Sequence, residues 1–339
     1  MKERMFSDRD SLLNAYKELN NLSDRTLIFR LGDGAGFFSE YNCMILAMLY
    51  CLTHRIRFVL HSYKGNFARE KGWDDFFLPF CMTTKEKSAF TYIHTCANFR
   101  PYGSQEKIQL RNGAWKWHLK KWALNILAQG YKFMFLPRTY LTQDLWNQFF
   151  YPQPYYDIPE LNIHGDIAEA CHRLVQLTWH FNEETTQKIQ SLKSKLKLPK
   201  EYISCHLRQG DKCVEAHLLT IDPYIEHITR QSCKDIFVSS DDYMMIEQLK
   251  ARCPEYNWYT LSEETDRGYS QQEFERSTPS SKFQALIKLW ASVDVMIDSQ
   301  RFIGTTTSNL GVFMNICRPD ISESVDSDKN MLYNILRCS

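Results

Sequence analysis

An α/β fold built on parallel sheets, in two domains, follows from three features of the chain. In the second half, short apolar runs at 202–207, 235–239, 256–260 and 301–304 alternate with helical periodicities at 222–231, 242–252, 281–299 and 310–316. Such alternation means parallel strands with helices on both faces. In the first half, a strand at 26–30 enters a helical run from 39 to 53 through the turn Leu31-Gly32-Asp33-Gly34-Ala35-Gly36, and a second strand follows at 56–60. The third feature is the basic segment Lys193 to Lys200, which ends in Pro-Lys and divides the 339 residues into 1–198 and 199–339, two domains of ordinary size.

The composition excludes several function classes. Lys and Arg (41) nearly balance Asp and Glu (40), so no global field draws the chain to nucleic acid. The eleven cysteines include no CxxC pair, and Cys43, Cys51, Cys205 and Cys317 lie inside apolar runs. An odd count without metal spacing favours a reducing compartment over a disulfide scaffold. The chain shows neither a signal peptide nor an uninterrupted apolar stretch long enough to span a bilayer. The expectation is a cytoplasmic protein without an integral membrane segment, any peripheral membrane contact being left to a surface patch or a partner.

Residues 7–21 have the pattern of an amphipathic helix leading into the first strand. The glycines at 32, 34 and 36 let the backbone approach a ligand or a neighbouring element closely. They do not form the dinucleotide fingerprint, because Phe37 stands where its third glycine belongs and the next strand ends in His61 rather than an acid. The loop at 62–77, with Phe67 and Gly72-Trp73-Asp74-Asp75-Phe76-Phe77, suits surface packing and substrate binding equally. At 114–128, Trp115, Leu119, Trp122 and Ile126 keep helical spacing among lysines, predicting a core face with a solvated basic back. Residues 151–159, with prolines at 152, 154 and 159, predict a loop, and 164–192 one long helix or two. His172 and His180 lack an acidic partner at ligand spacing, so a metal site is not expected there. The tail at 322–328 is polar and loop-like.

Three strand ends of the second half carry polar groups: His206-Leu207-Arg208-Gln209-Gly210-Asp211-Lys212 with Glu215 beyond, Ser239-Ser240-Asp241-Asp242, and Gly304-Thr305-Thr306-Thr307-Ser308-Asn309. Each has an ordinary explanation, since Ser-Asp-Asp and Thr-Ser-Asn are good helix N-caps. In a parallel sheet, however, all three loops open on the carboxyl edge, where ligands of such sheets bind. An arginine, a helix start and spare carboxylates on one edge describe a nucleotide-diphosphate site with a candidate base nearby. Asp294 lies within an apolar helical pattern, either as a surface carboxylate or as an acceptor for a donor pair such as the N1–H and amine of guanine.

The segment from His206 to Lys212 resembles the His-x-Arg-x-x-Asp-Lys motif of the α1,6-fucosyltransferases, which include core N-glycan and nodulation enzymes. Further segments agree in order over roughly 26–316: the glycine loop with Gly72-Trp73-x-x-Phe76, Ser240-Asp241-Asp242, and Asp294 through Ser299-Gln300 to Thr305-x-x-Ser308-Asn309. The resemblance implies two Rossmann-like domains facing each other across a cleft, a GT-B-like arrangement. It also implies inverting, metal-free transfer of L-fucose from GDP-fucose to a glycan hydroxyl, with no cofactor. By the same resemblance, His206 and Arg208 hold the diphosphate, helped by Thr307, Ser308 and Asn309. Asp294 binds guanine and Phe67 stands near the nucleotide, while Gly32, Gly34, Asp241 and Asp242 complete the nucleotide side. Asp211, Lys212 and Glu215 line the reaction centre, with Glu215 the candidate base. Glu215 comes one residue earlier than in the glycan enzyme, Gly210 stands for a Thr and Asn309 for a Gln. The chain also lacks the animal enzyme's anchor, stem and SH3-like domain, which suggests a bacterial-type enzyme with another acceptor. A different linkage (α1,2 or protein O-fucosylation) and a non-catalytic nucleotide- or glycan-binding protein are the alternatives.

Overall fold

The computed structural model describes residues 8–87, 115–209, 219–326 and 334. Helix α1 (Arg9–Asn21) buries Leu12, Leu13 and Tyr16 and is followed by β1 (Thr26–Arg30), α2 (Phe37–Thr53) and β2 (Arg57–His61). After α3 (Trp115–Phe135) come β3 (Thr139–Leu141) and the short α4 (Thr142–Leu145). Strands β2, β1 and β3 form a parallel sheet in that order. The stretch expected to be a loop contains β4 (Tyr156–Ile158), which pairs as a small antiparallel hairpin with β5 (Ile163–Gly165), at the expected helix start. The helical region beyond it is two helices, α5 (Ile167–Thr178) and α6 (Glu183–Leu196). Asp166 caps the first by accepting from Glu169 N–H at 2.9 Å, and Asn182 caps the second through Thr185 N–H at 2.9 Å.

The second half follows the expected alternation: β6 (Ile203–Leu207), α7 (Asp222–Thr229), β7 (Asp235–Ser240), α8 (Tyr243–Arg252), β8 (Asn257–Tyr259), α9 (Gln271–Arg276), α10 (Pro279–Asp298), β9 (Arg301–Gly304), α11 (Asn309–Cys317) and β10 (Ser322–Ser324). Its sheet, in the order β10-β9-β6-β7-β8, is parallel throughout. Strand β10 lies in the tail read as loop. Its residues Ser-Glu-Ser have no apolar alternation and form a strand only by pairing with β9 at the sheet edge.

The core is strongly aromatic and joins the two halves. Trp290 of α10 is fully buried, 4.3 Å from Phe37 of α2 and 5.4 Å from Phe77, while Phe313 of α11 lies 4.5 Å from Trp179. Trp73 stacks on Phe77 at 4.2 Å, so the Gly-Trp segment serves this core rather than the surface. Helix α3 departs from expectation in the opposite sense. Leu119, Trp122 and Ile126, expected to face a core, are 52%, 64% and 50% exposed. The helix is held to the protein instead through Gln129 and Lys132, which bind Asp144 of α4 at 3.0 and 2.6 Å.

Candidate active site

Because β6, β7 and β9 are parallel neighbours, the loops after Leu207, Ser240 and Gly304 share the carboxyl edge. Arg208 leaves β6 there, paired with Asp241 and lying over the Tyr269 ring at 5.1 Å. Asp241 also accepts the N–H of Gln209 at 2.8 Å and of Tyr269 at 3.1 Å. One carboxylate therefore positions the guanidinium and ties β6, β7 and the 267–269 turn together. Asp242, its neighbour, instead caps α8, accepting from Met244 N–H at 3.0 Å. His206 is buried inside the strand, and its Nδ1 has no hydrogen-bond partner among the described residues. Burial pushes its pKa down to about 4, with Asp241 opposing and Arg208 assisting. At neutral pH it is an uncharged imidazole, so the positive charge here comes from Arg208.

The loop after β9 returns tightly over the start of α11. A Cβ on Gly311 would stand 1.8 Å from the Thr305 carbonyl oxygen, which restricts that position to glycine. Ser308 is the N-cap residue, with extended backbone, and is buried. The loop already holds an oxyanion. Thr306 N–H, Thr306 Oγ1 and Thr307 N–H all donate to the Asp326 carboxylate, at 2.8, 2.9 and 2.8 Å. Burial works to raise the Asp326 carboxyl, but the bonds from Ser324, Thr306 and Thr307 outweigh it and hold it below its ordinary range. Sequence reasoning missed Asp326, because nothing in a polar tail marks which carboxylate folds back onto a loop twenty residues earlier. Asn309 ties the loop to the first half, its carbonyl accepting from Asn42 Nδ2 of α2 at 2.9 Å.

The glycine loop behaves otherwise than its composition suggests. Gly32 and Gly34 have φ of 92° and 122°, a region that side chains rarely adopt. The N–H groups of Asp33, Gly34 and Ala35 turn inward to Glu40 of α2 at 2.9, 3.1 and 3.0 Å, joined by that of Gly32. The approach that glycine permits is to the next loop, since a Cβ on Gly32 would lie 2.7 Å from Asn66 N. Glu40 is 4% exposed; burial raises its pKa against the pull of the four N–H groups, and burial prevails. A lone acid in the first turn of an otherwise apolar helix, just after a glycine turn, was the readable signal for it. Phe67 is buried between Phe37 at 5.3 Å and Phe274 of α9 at 6.1 Å. Across the same gap, Lys282 Nζ of α10 donates to Asn66 Oδ1 at 2.8 Å. The carboxyl-edge loops of the first sheet thus meet the 271–282 segment of the second half.

Asp294 is placed elsewhere. Helix α10 starts near the carboxyl edge and runs back against the strands, so Asp294, one turn from its end, lies toward the edge where strands begin. There, the Tyr202 hydroxyl bonds Val295 O at 2.8 Å, just ahead of β6. Asp294 is 2% exposed and takes Lys193 Nζ of α6 at 2.6 Å, a lysine it shares with Asp298 at 2.6 Å. The structure therefore separates Asp294 from the loops carrying His206, Arg208, Thr307, Ser308 and Asn309, which it brings together. Gly210, Asp211, Lys212 and Glu215 lie outside the described residues.

Two Rossmann-like α/β units, each with a parallel sheet, packed so that loops from both carboxyl edges meet, define a fold of the GT-B kind. More particularly, the fold is fucosyltransferase-like. Two crystal structures of the fucosyltransferase NodZ from Bradyrhizobium superpose with a TM-score of 0.50 each, at 10% and 9% identity, covering 91% of this chain and 96% and 97% of theirs. A variant of Arabidopsis thaliana FUT1 in complex with GDP aligns with a TM-score of 0.48 at 11% identity, over 97% of this chain and 78% of that one. No family model matches the sequence, and no curated protein matches it.

Proposed function

We propose that the protein is an inverting, metal-independent glycosyltransferase that moves L-fucose from GDP-β-L-fucose to a hydroxyl of a glycan, giving an α-linkage of the α1,6 type. The observation that carries this reading is the convergence, on one sheet edge, of Arg208 with a loop whose N–H groups already bind an oxyanion. The resemblance of the 206–212 segment to the α1,6-fucosyltransferases and the shared fold support the choice of donor. The reading places the protein in the cytoplasm, where thiols such as those of Cys51 and Cys205 would persist.

In this reading the acceptor oxygen attacks C1 of fucose from the face opposite the diphosphate. A C1–O bond forms to the acceptor, the C1–O bond to the β-phosphate breaks with its electron pair, and GDP leaves. The acceptor proton passes to a carboxylate, for which Glu215 is the candidate and Asp211 the alternative, with Lys212 beside them. Arg208 and the N–H groups of the 305–309 loop receive the charge that grows on the leaving phosphate, where preorganised donors contribute most. His206, neutral and buried, would offer a hydrogen bond rather than a charge. Asp326 must then yield its donors to the phosphate or shift beside it. The phosphate seat is therefore occupied by an internal anion that a ligand has to displace.

The test is a thermal-shift panel of GDP-, UDP-, ADP- and CMP-sugars, followed by an acceptor screen with linkage analysis of the product. Stabilisation by GDP and GDP-fucose alone, with fucosylated product, is expected. A shift with another nucleotide class would overturn the donor assignment. GDP-fucose binding without transfer to any acceptor would leave a binding protein.

A further inference from the structure

Helix α3 (Trp115–Phe135) concentrates exposed apolar surface. Of thirteen large hydrophobic side chains exposed among the described residues, eight lie on this helix. Leu119, Ile126 and Phe133 recur every seven residues, two helical turns, so they form one line along the helix. Trp122, Leu127 and Met134 flank that line, at 64%, 68% and 67% exposure. Gln129 and Lys132, bound to Asp144, mark the side turned to the protein body.

An apolar face of this length is costly to leave in water, and scattered exposure does not produce such a line. The charge of the helix identifies its occupant. Besides Lys132, which pairs with Asp144, its sequence holds Lys116, Lys120 and Lys121 and no acidic residue, within a chain of net charge only +1. Exposed aromatic and aliphatic groups, on a helix whose sequence holds lysines and no acids, suit the headgroup region of an anionic bilayer. It does not cross one: among the described residues no helix is long and apolar enough to do so. We infer that α3 docks the protein on an anionic lipid surface, independently of what the cleft binds.

The experiment is co-flotation of the full chain with phosphatidylcholine vesicles, with and without phosphatidylglycerol. Binding to the phosphatidylglycerol vesicles is expected, weakened by salt because part of the attraction is electrostatic. Ile126→Asp and Phe133→Asp, both at exposed positions, should each reduce partitioning about tenfold with an unchanged thermal unfolding midpoint. Absence of wild-type binding, equal binding to both vesicle types, or unchanged partitioning of the variants would overturn the inference. So would a concentration-dependent dimer in vesicle-free solution that Ile126→Asp abolishes, since the face would then be covered by a second copy.

Discussion

Arg208 is set in place before any ligand arrives, paired with Asp241 and lying over the Tyr269 ring. Preorganisation of this kind is where an enzyme gains most from a cation, because no reorientation is needed as charge develops. Arg208→Ala is expected to lower GDP release from GDP-fucose plus acceptor by about a hundredfold or more, near 3 kcal/mol, with the fold intact by circular dichroism. Arg208→Lys should recover little, since an ammonium cannot satisfy Asp241 and a phosphate with one planar fork. His206 carries a pH signature of the fold itself. Its folded pKa of about 4 lies below the unfolded value near 6.5, so between those values the unfolded chain binds more protons. Its contribution to stability is therefore complete above about pH 6.5 and is lost as pH falls toward 4. Urea midpoints across that window should show the slope, and His206→Gln should flatten it. Both residues were legible in the sequence because an apolar strand running into a polar loop marks a sheet edge. Asp326 was less so, since its partners on the 305–307 loop lie about twenty residues earlier, and Glu40 was marked only by its place just after the glycine turn.

At the level of elements, the glycine loop shows how one composition serves two ends. Open glycine turns in such sheets present N–H groups to a phosphate, but here Glu40 takes them, so the loop is internally satisfied and positions the 65–67 segment instead. Glu40→Ala would leave these N–H groups, the buried one of Gly32 among them, without their acceptor and should cost about 3 kcal/mol in urea unfolding. The loop after β9 is the complementary case, because its carboxylate arrives from the edge of the molecule. Asp326→Ala removes the internal competitor and is expected to tighten GDP binding about tenfold by calorimetry; weaker binding would make Asp326 a structural clamp only. Strand and helix periodicity revealed β1 and β2 of the first sheet and β6 to β9 of the second, but not β3, which is only three residues long. It failed at β10, which is too short and polar to show a pattern, and at α3, where helical spacing was visible but the side facing the protein was not. It also could not reveal that α10 carries Asp294 to the far edge, because helix length converts to distance only once the direction of packing is known.

On the scale of the whole molecule, the larger core is shared between the halves, while the second sheet keeps a smaller one of its own, with Ile203, Leu207, Val238 and Ile246. Trp290 and Phe313, from the second half, sit against Phe37, Phe77 and Trp179 from the first, and Lys193 of α6 pairs with Asp294 and Asp298 of α10. The sequence boundary near 198 divides the sheets but cuts through this aromatic cluster, since apolar periodicity does not say which unit a face will meet. A shared core couples the halves energetically. Separating them would expose rings that each buries on the other, at roughly 25 cal/mol per Å² of apolar surface. Unfolding is therefore expected as one transition, with far-ultraviolet ellipticity and tryptophan fluorescence losing signal together and the calorimetric enthalpy matching the van 't Hoff value. Trp290→Ala should cost about 3–5 kcal/mol and shift both probes by the same amount. Lys193→Met, which leaves the buried Asp294 carboxylate without its lysine, should likewise lower one midpoint rather than split the transition, by about 3 kcal/mol. Two resolved transitions in the native chain would mean that the aromatic cluster belongs to one half alone. The cleft between the sheets would then be free to open as a hinge, and ligand closure, rather than the fixed geometry of Arg208 and the 305–309 loop, would supply the binding specificity.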